Sequence, residues 1–384
     1  MPAPEINALL QMVVESNASD LHLRVGAPPM IRVHGELQQI DGLTEPLTAE
    51  LIQAYVEQVM LADYRSRWNV DHDIDFSYEI TGTARFRVNA FMTRVGPAVV
   101  FRHIPYEIKT LEDLGLPRQI MNFADYKKGM FLVTGATGSG KSTTLSTLID
   151  HINQTRREHI ITIEDPIEFV HENKKCLVSQ REVGPHTNSF AVALRAALRE
   201  DPDIILVGEL RDLETIELAL TAAETGHLVL STLHTNSTAD TVDRIINVFP
   251  EAQQQQVRQV TSNVMIGVVA QNLLRRVDVA GRAVATELMV CTPAIANLIR
   301  EGKSHQILSN IQTGRKEGMQ TMDMSLMTLL EDGKISPADA YTYAKQKELF
   351  APFMGMEQPR GATPGKRPPE KKGSDWTSAF SRAT

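Results

Sequence analysis

Cysteine is nearly absent from this 384-residue sequence: Cys176 and Cys291 stand far apart with no CxxC pair. Two such thiols offer neither a disulfide framework nor a zinc ribbon, and both read as small buried hydrophobes. Long apolar runs are missing as well. Stretches such as Met130-Phe131-Leu132-Val133 are only as long as a strand, far short of the roughly 18 residues that a membrane-spanning helix needs. The opening Met-Pro-Ala-Pro-Glu has no basic region followed by an apolar stretch, so no secretory signal is expected and the chain is expected in the cytosol. An excess of positive charge is lacking too. The formal net charge of -8 weighs against nonspecific binding to a phosphate backbone, and no basic stretch interleaved with aromatics marks a nucleic-acid channel.

The composition that is present, 42% apolar and 22% charged, is that of a protein able to bury sizeable cores, and the length suits two compact units. Residues 5–15 carry Ile6, Leu9, Leu10, Val13 and Val14 at helical spacing, followed by an alternating run from Leu21 to Val25. Alternation with turn signals at His34-Gly35 and Thr81-Gly82-Thr83 continues over 30–40 and 74–104, which predicts antiparallel strands in a small α+β domain over 1–105. Two prolines and Gly115 lie between Pro105 and Pro117, so 106–118 reads as a connection. Beyond it, Met130–Thr134, Ile160–Glu164, Ile204–Val207 and Leu228–Thr232 are apolar runs spaced as in a parallel α/β sheet. After Phe249-Pro250 the pattern reads as helical through Gly267, Leu298 and Leu330, giving a second domain over 119–350 with a helical C-terminal part. From 351 to 384 the chain turns rich in Pro, Gly, Lys and Arg and reads as a tail unable to order itself, with Trp376 and Phe380 read as part of a frayed end in preference to a short docking motif.

The strongest motif is Gly135-Ala-Thr-Gly-Ser-Gly-Lys-Ser142, which fits G-x-x-x-x-G-K-[ST] between an apolar strand and a helix over 142–152. In such a loop the backbone N–H groups of Gly135, Ala136, Thr137, Gly138, Ser139 and Gly140 surround phosphates. The helix start at Ser142 and Thr143 adds partial positive charge, Lys141 meets the β- and γ-phosphates, and the Ser142 hydroxyl can ligate Mg²⁺. ATP and Mg²⁺ are therefore the expected cofactors.

Two acidic strand ends follow. Ile160-Ile-Thr-Ile-Glu164-Asp165-Pro166 stops at a proline, and Glu164 is a candidate to orient or deprotonate a water. The bland alternative is a turn carboxylate. Ile204-Ile-Leu-Val207-Gly208-Glu209 has the shape of a Walker B strand, except that Gly208 stands where many P-loop enzymes have a metal-binding Asp. Glu209 is left to hold the metal through water or to polarise the nucleophile, and the choice of main base between Glu164 and Glu209 stays open. His234, in Thr232-Leu-His-Thr235, is a candidate to contact the γ-phosphate, against the reading of a structural histidine; His227 is a weaker one.

These residues carry a family resemblance. The sequence resembles the retraction ATPases of type IV pili, the PilT/PilU branch of the type II/type IV secretion ATPase superfamily. The match runs through Ala18-Ser-Asp-Leu-His-Leu23, Ala84-Arg-Phe-Arg-Val-Asn-Ala-Phe91, the phosphate loop, the Asp box Thr162–Glu168 and the His box Thr232–His234–Thr235. It continues in Ala294-Ile-Ala-Asn-Leu-Ile-Arg-Glu301 and Gly318-Met-Gln-Thr-Met-Asp323. The resemblance implies a PAS-like N-terminal domain, a RecA-like core, a homohexameric ring, a paralogous retraction ATPase as a possible partner, and action on an inner-membrane platform protein at the base of the pilus. It gives Gly208 a precedent, and the absence of a Cys-rich zinc segment favours retraction over extension. The helix over 294–301 is tied to retraction in that family, although Ala296 replaces its usual arginine. Gly135-Ala-Thr-Gly138 is shared with the accessory branch, whereas Glu200–Asp203 and Gly208–Asp212 look like the principal motor.

Alternation over 84–91 puts Arg85, Arg87 and Asn89 on one strand face. Ring ATPases commonly complete a site with a neighbour's arginine, so this face is read as free for a partner, and the resemblance suggests that these arginines, with Arg102 as a further candidate, reach a neighbouring nucleotide. Solvated strand-face charge is the alternative. A RecA-like nucleic-acid translocase and a nucleotide-binding assembly subunit with little turnover are the competing functions.

Overall fold

The computed structural model describes residues 4–355, apart from residue 34 and residues 105–107. Residues 356–384, with Trp376 and Phe380, lie outside the described residues, as do part of the connection expected over 106–118 and the first half of the turn at Gly35.

The chain forms a mixed α/β structure with two sheets. In the first part, α1 (Ile6–Glu15) precedes β1 (Asp20–Arg24), β2 (Met30–Val33) and β3 (Glu36–Gln39). Then come α2 (Ala49–Val59), α3 (Ala62–Asp71), β4 (Asp73–Ile80), β5 (Ala84–Thr93) and β6 (Gly96–Ile104). The strands make an antiparallel sheet in the order β3-β2-β1-β6-β5-β4. Strand β5 alternates buried and half-buried side chains from Ala84 onward, as expected of a sheet with one face on a core. That face meets α1 and α2 around Phe86, Phe101, Leu9 and Val56.

A short helix, α4 (Leu111–Leu114), and a 3-10 turn over Arg118–Asp125 lead into the larger sheet. Its strands are β7 (Gly129–Thr134), β8 (His159–Glu164), β9 (Leu177–Glu182), β10 (Ile204–Val207), β11 (Leu228–Leu233), β12 (Met265–Arg275) and β13 (Arg282–Val290), in the order β13-β12-β7-β11-β10-β8-β9. All neighbours are parallel except the β12–β13 pair. Every residue of β7, β10 and β11 is buried, because helices cover both faces of a parallel sheet. One face packs on α5 (Lys141–Thr155) and the 111–125 segment. The other carries α6 (Phe190–Ala197), α7 (Leu213–Thr225), α8 (Thr238–Asn247), α9 (Glu251–Val264), α10 (Pro293–Arg300) and α11 (Ile307–Thr313). Three further helices, α12 (Met322–Glu331), α13 (Pro337–Tyr343) and α14 (Lys347–Phe350), close over β13.

The helical reading from Pro250 through Gly267 is corrected here. Helix α9 ends at Val264, and 265–290 is an antiparallel hairpin that extends the parallel sheet. A β-bulge between Met265 and Gly267 and the polar pair Gln271-Asn272 break the period-2 pattern of β12, so alternation alone does not reveal it. The helix expected over 294–301 is present as α10, started by Thr292, whose side chain accepts from the Ile295 amide, with Gly302 left-handed just beyond it.

Candidate functional site

The loop between β7 and α5 lies at the C-terminal end of the parallel strands, where ligand crevices of such sheets open. Its tip, Ala136, Thr137 and Gly138, is exposed, while Gly135, Ser139 and Lys141 are buried. Glycine is required at 135: φ is +142°, and a Cβ would stand 2.3 Å from the Gln271 carbonyl oxygen. Gln271 of β12 braces the loop by donating from Nε2 to the Ser139 carbonyl at 2.8 Å and accepting from the Thr144 hydroxyl at 3.0 Å. The Ser139 hydroxyl is buried without a partner, a polar group that an anion in the loop would satisfy. Ser142 and Thr143 sit half-buried in the first turn of α5, with the Thr143 carbonyl taken by Ser146 and Thr147.

Lys141 Nζ donates to the carbonyls of Gly135 at 2.9 Å and Ala136 at 3.2 Å and meets His234 Nδ1 at 3.4 Å. Burial lowers its pKa from the usual lysine value, partly offset by Glu209 and Glu168. Because an ammonium only donates, His234 Nδ1 is the acceptor, which leaves the ring proton on Nε2. Nε2 faces Glu209 Oε1 at 3.2 Å, and Glu209 Oε2 meets Arg211 Nε at 2.8 Å. Lysine, histidine, glutamate and arginine thus form one bonded chain across the ends of β7, β10 and β11. His227, at the other end of β11, touches Thr225 and the Ala222 carbonyl and takes no part.

Glu164 ends β8. Its Oε1 accepts from Thr162 Oγ1 at 2.6 Å and from Gln180 Nε2 at 3.1 Å. Part of the residue reaches the surface, yet burial of the carboxyl pushes its pKa up to about 7 against these bonds, which favour the charged form. Glu164 shares a small cavity of about 30 Å³ with Ser142, His171, Gly208 and Thr232, room for about one water. A Cβ at Gly208 would lie 3.2 Å from the Ile163 carbonyl and 3.4 Å from Glu164 Cα. An aspartate there would crowd β8, so glycine keeps the two strand ends close.

The arginine face needs a correction. Arg85, 12% exposed at its side chain, is not free: Nη2 pairs with Glu182 Oε2 at 2.8 Å and also reaches Ser77. Arg87 lies 3.5 Å from Asp75, and Arg102 bonds Asp20 at 2.9 Å. None of the three touches the crevice within this chain. Gln180, His171 and Gln271 were not singled out by the sequence, and Thr162 and Arg211 stood in motifs without a role of their own. Gln271 lay in a stretch read as helix, and Gln180 lies on an edge strand, β9, that was not anticipated.

The family described as Type II/IV secretion system protein matches residues 3–340. The chain is 51% identical over 346 residues to the type IV pilus retraction ATPase PilT of Pseudomonas aeruginosa, covering 90% of this chain and 100% of that protein. It is 40% identical over 340 residues to the type IV pilus ATPase PilU of the same organism, covering 88% of each. A crystal structure of the pilus retraction motor PilT with bound ADP superposes with a TM-score of 0.84 at 45% identity, covering 90% of this chain and 99% of the other. With a phosphate loop, two strand-end glutamates and a histidine at the same sheet end, this chain belongs to the type II/IV secretion system protein family.

Proposed function

We propose that this chain is an ATP-hydrolysing motor of type IV pilus retraction, and so of twitching motility. It works as a homohexamer on the inner-membrane platform protein, in the cytoplasm at the base of the pilus machine. The observation that carries the reading is the Lys141–His234–Glu209 chain at the mouth of the loop. It links the group that would hold the γ-phosphate to a carboxylate that can report its loss. The first sheet with its helices, 1–105, is read as the PAS-like domain, 106–118 as the connection and 119–350 as the RecA-like engine, with 351–384 a tail.

In this reading the backbone of residues 135–140 and Lys141 hold the phosphates, and Glu164 takes the proton of the attacking water. Ser142 beside the small cavity, with Glu209 following the Gly208 that lines it, fits Mg²⁺, an ion that takes few protein ligands and completes its shell with phosphate and water. Bound there, Mg²⁺ would offset charge on the phosphates. Arg85, Arg87 and Arg102 remain the candidates to act on a neighbouring subunit's nucleotide. For Arg85 that role requires release from Glu182.

Higher identity to PilT than to PilU supports the principal motor. The Gly135–Gly138 residues shared with accessory relatives keep the PilU-type role as the second reading. Deleting the gene is expected to abolish twitching and leave excess surface pili, whereas loss of all pili would point to extension. In the purified protein, ADP at about 100 times its Kd should stabilise the fold by about 2.7 kcal/mol. Lys141→Ala should remove that shift and turnover together, and clear stimulation of turnover by single-stranded DNA would overturn the pilus reading.

A further inference from the structure

Gln180 is placed by strand register. In the parallel β8–β9 pair it lies opposite Thr162, with Glu182 opposite Glu164, so its side chain shares a face with Thr162 and turns toward the segment that follows Glu164. There it makes three hydrogen bonds. Nε2 donates to Glu164 Oε1 at 3.1 Å and to the Phe169 carbonyl at 2.9 Å, and Oε1 accepts from the His171 amide at 2.7 Å. The amide can face only one way, because turning it over would set its oxygen against a carboxylate and a carbonyl. One side chain therefore ties the carboxylate to the loop over 165–171, and Thr162 adds a second donor on the same carboxylate oxygen.

We propose that Gln180 is a positioning residue that aims the Glu164 carboxylate at the attacking water. The inference rests on the reading of Glu164 as the base. In the step served, the water oxygen bonds to the γ-phosphorus, the P–O bond to ADP breaks with its electron pair leaving on ADP, and the water proton passes to Glu164. Burial opposes the charged carboxylate that this step needs, and donors on it oppose burial. The charged and titratable neighbours do not take over this task. Glu168 repels the charge on Glu164, and the Glu168 backbone amide is a further donor among the described residues. His171, pushed down to about 4 by burial, is neutral at working pH. Lys141 acts on Glu209 and Glu168 instead.

The test is the pH profile of turnover. In the native chain kcat/KM, which reports the nucleotide-free protein, should rise with pH through about 7 as Glu164 ionises. Gln180→Met keeps the volume and removes the donor, so the rising limb should move to higher pH by about half a unit, a roughly threefold loss below the limb that recovers above it. ADP affinity should be unchanged. Gln180→Glu sets acceptor against acceptor and should move the limb further, and it decides the matter if the Met variant does not fold. A loss of the same factor at every pH, or an unmoved profile in both variants, sinks the proposal. Glu164→Gln separates the two failures. If it turns over like the native chain, the base reading falls and takes Gln180 with it; if it is inactive while both Gln180 variants keep the native limb, only the Gln180 role is lost.

Discussion

His171 is 8% exposed, its Nδ1 has no partner, and burial pushes its pKa down to about 4 from an ordinary 6.5. The folded chain holds this imidazole neutral while the unfolded chain accepts a proton as pH falls below 6.5. The stability it lends is thus complete above 6.5 and drains away as pH falls toward 4. At pH 5 the loss is about 2 kcal/mol. His171→Asn should narrow the gap between urea midpoints measured at pH 7 and pH 5 by that order. Lys141, Glu164, Glu209 and His234 were legible in the sequence because each stands in a motif or at the end of an apolar run. Gln180, Gln271 and Arg211 were not, because their tasks arise only when strands distant in sequence are laid side by side. Arg85 shows the opposite limit: alternation gives its face correctly but not the carboxylate waiting there.

At the scale of elements, legibility followed burial. Four strands, β7, β8, β10 and β11, are covered on both faces and appear as unbroken apolar runs. Strand β9 lies at the sheet edge and reads Leu-Val-Ser-Gln-Arg-Glu, with only Glu182 fully buried, so no apolar run announces it. Strand β12 was hidden by its bulge. Gly267, beside that bulge, lies under the Phe123 ring, and a Cβ there would come within 2.4 Å of two ring carbons and 3.0 Å of the Met289 carbonyl. Phe123 is itself stacked on Phe131, with ring centroids 4.3 Å apart, and cannot easily retreat. Gly267→Ala should therefore cost about 1–3 kcal/mol through overpacking, read as a lower urea midpoint with an unchanged slope.

Across the whole molecule, one carboxylate joins the two sheets. Glu182, 2% exposed at the end of β9, accepts from Ser77 of β4 and Arg85 of β5 while also taking the backbone amide of Ile167 in the loop after Glu164. Glu182→Ala removes the nearer of the two carboxylates on Arg85, which keeps Glu79 at 3.4 Å and Ser77 at 3.0 Å, so the loss should fall below the about 3–5 kcal/mol of a buried pair broken from one side. The expected outcome is a lower melting temperature, with the first sheet unfolding in a transition of its own ahead of the larger one. The formal charge of the chain, -8, repels an approaching nucleotide, yet Lys141, the cation proposed to receive it, is already folded into the loop on two carbonyls and an imidazole. On that proposal phosphate would arrive by exchange of partners, not by stripping a hydrated ammonium. Dissolved salt screens the distant repulsion over a Debye length of about 8 Å and scarcely reaches the buried contact. Ionic strength should therefore quicken the arrival of nucleotide while leaving its departure almost untouched.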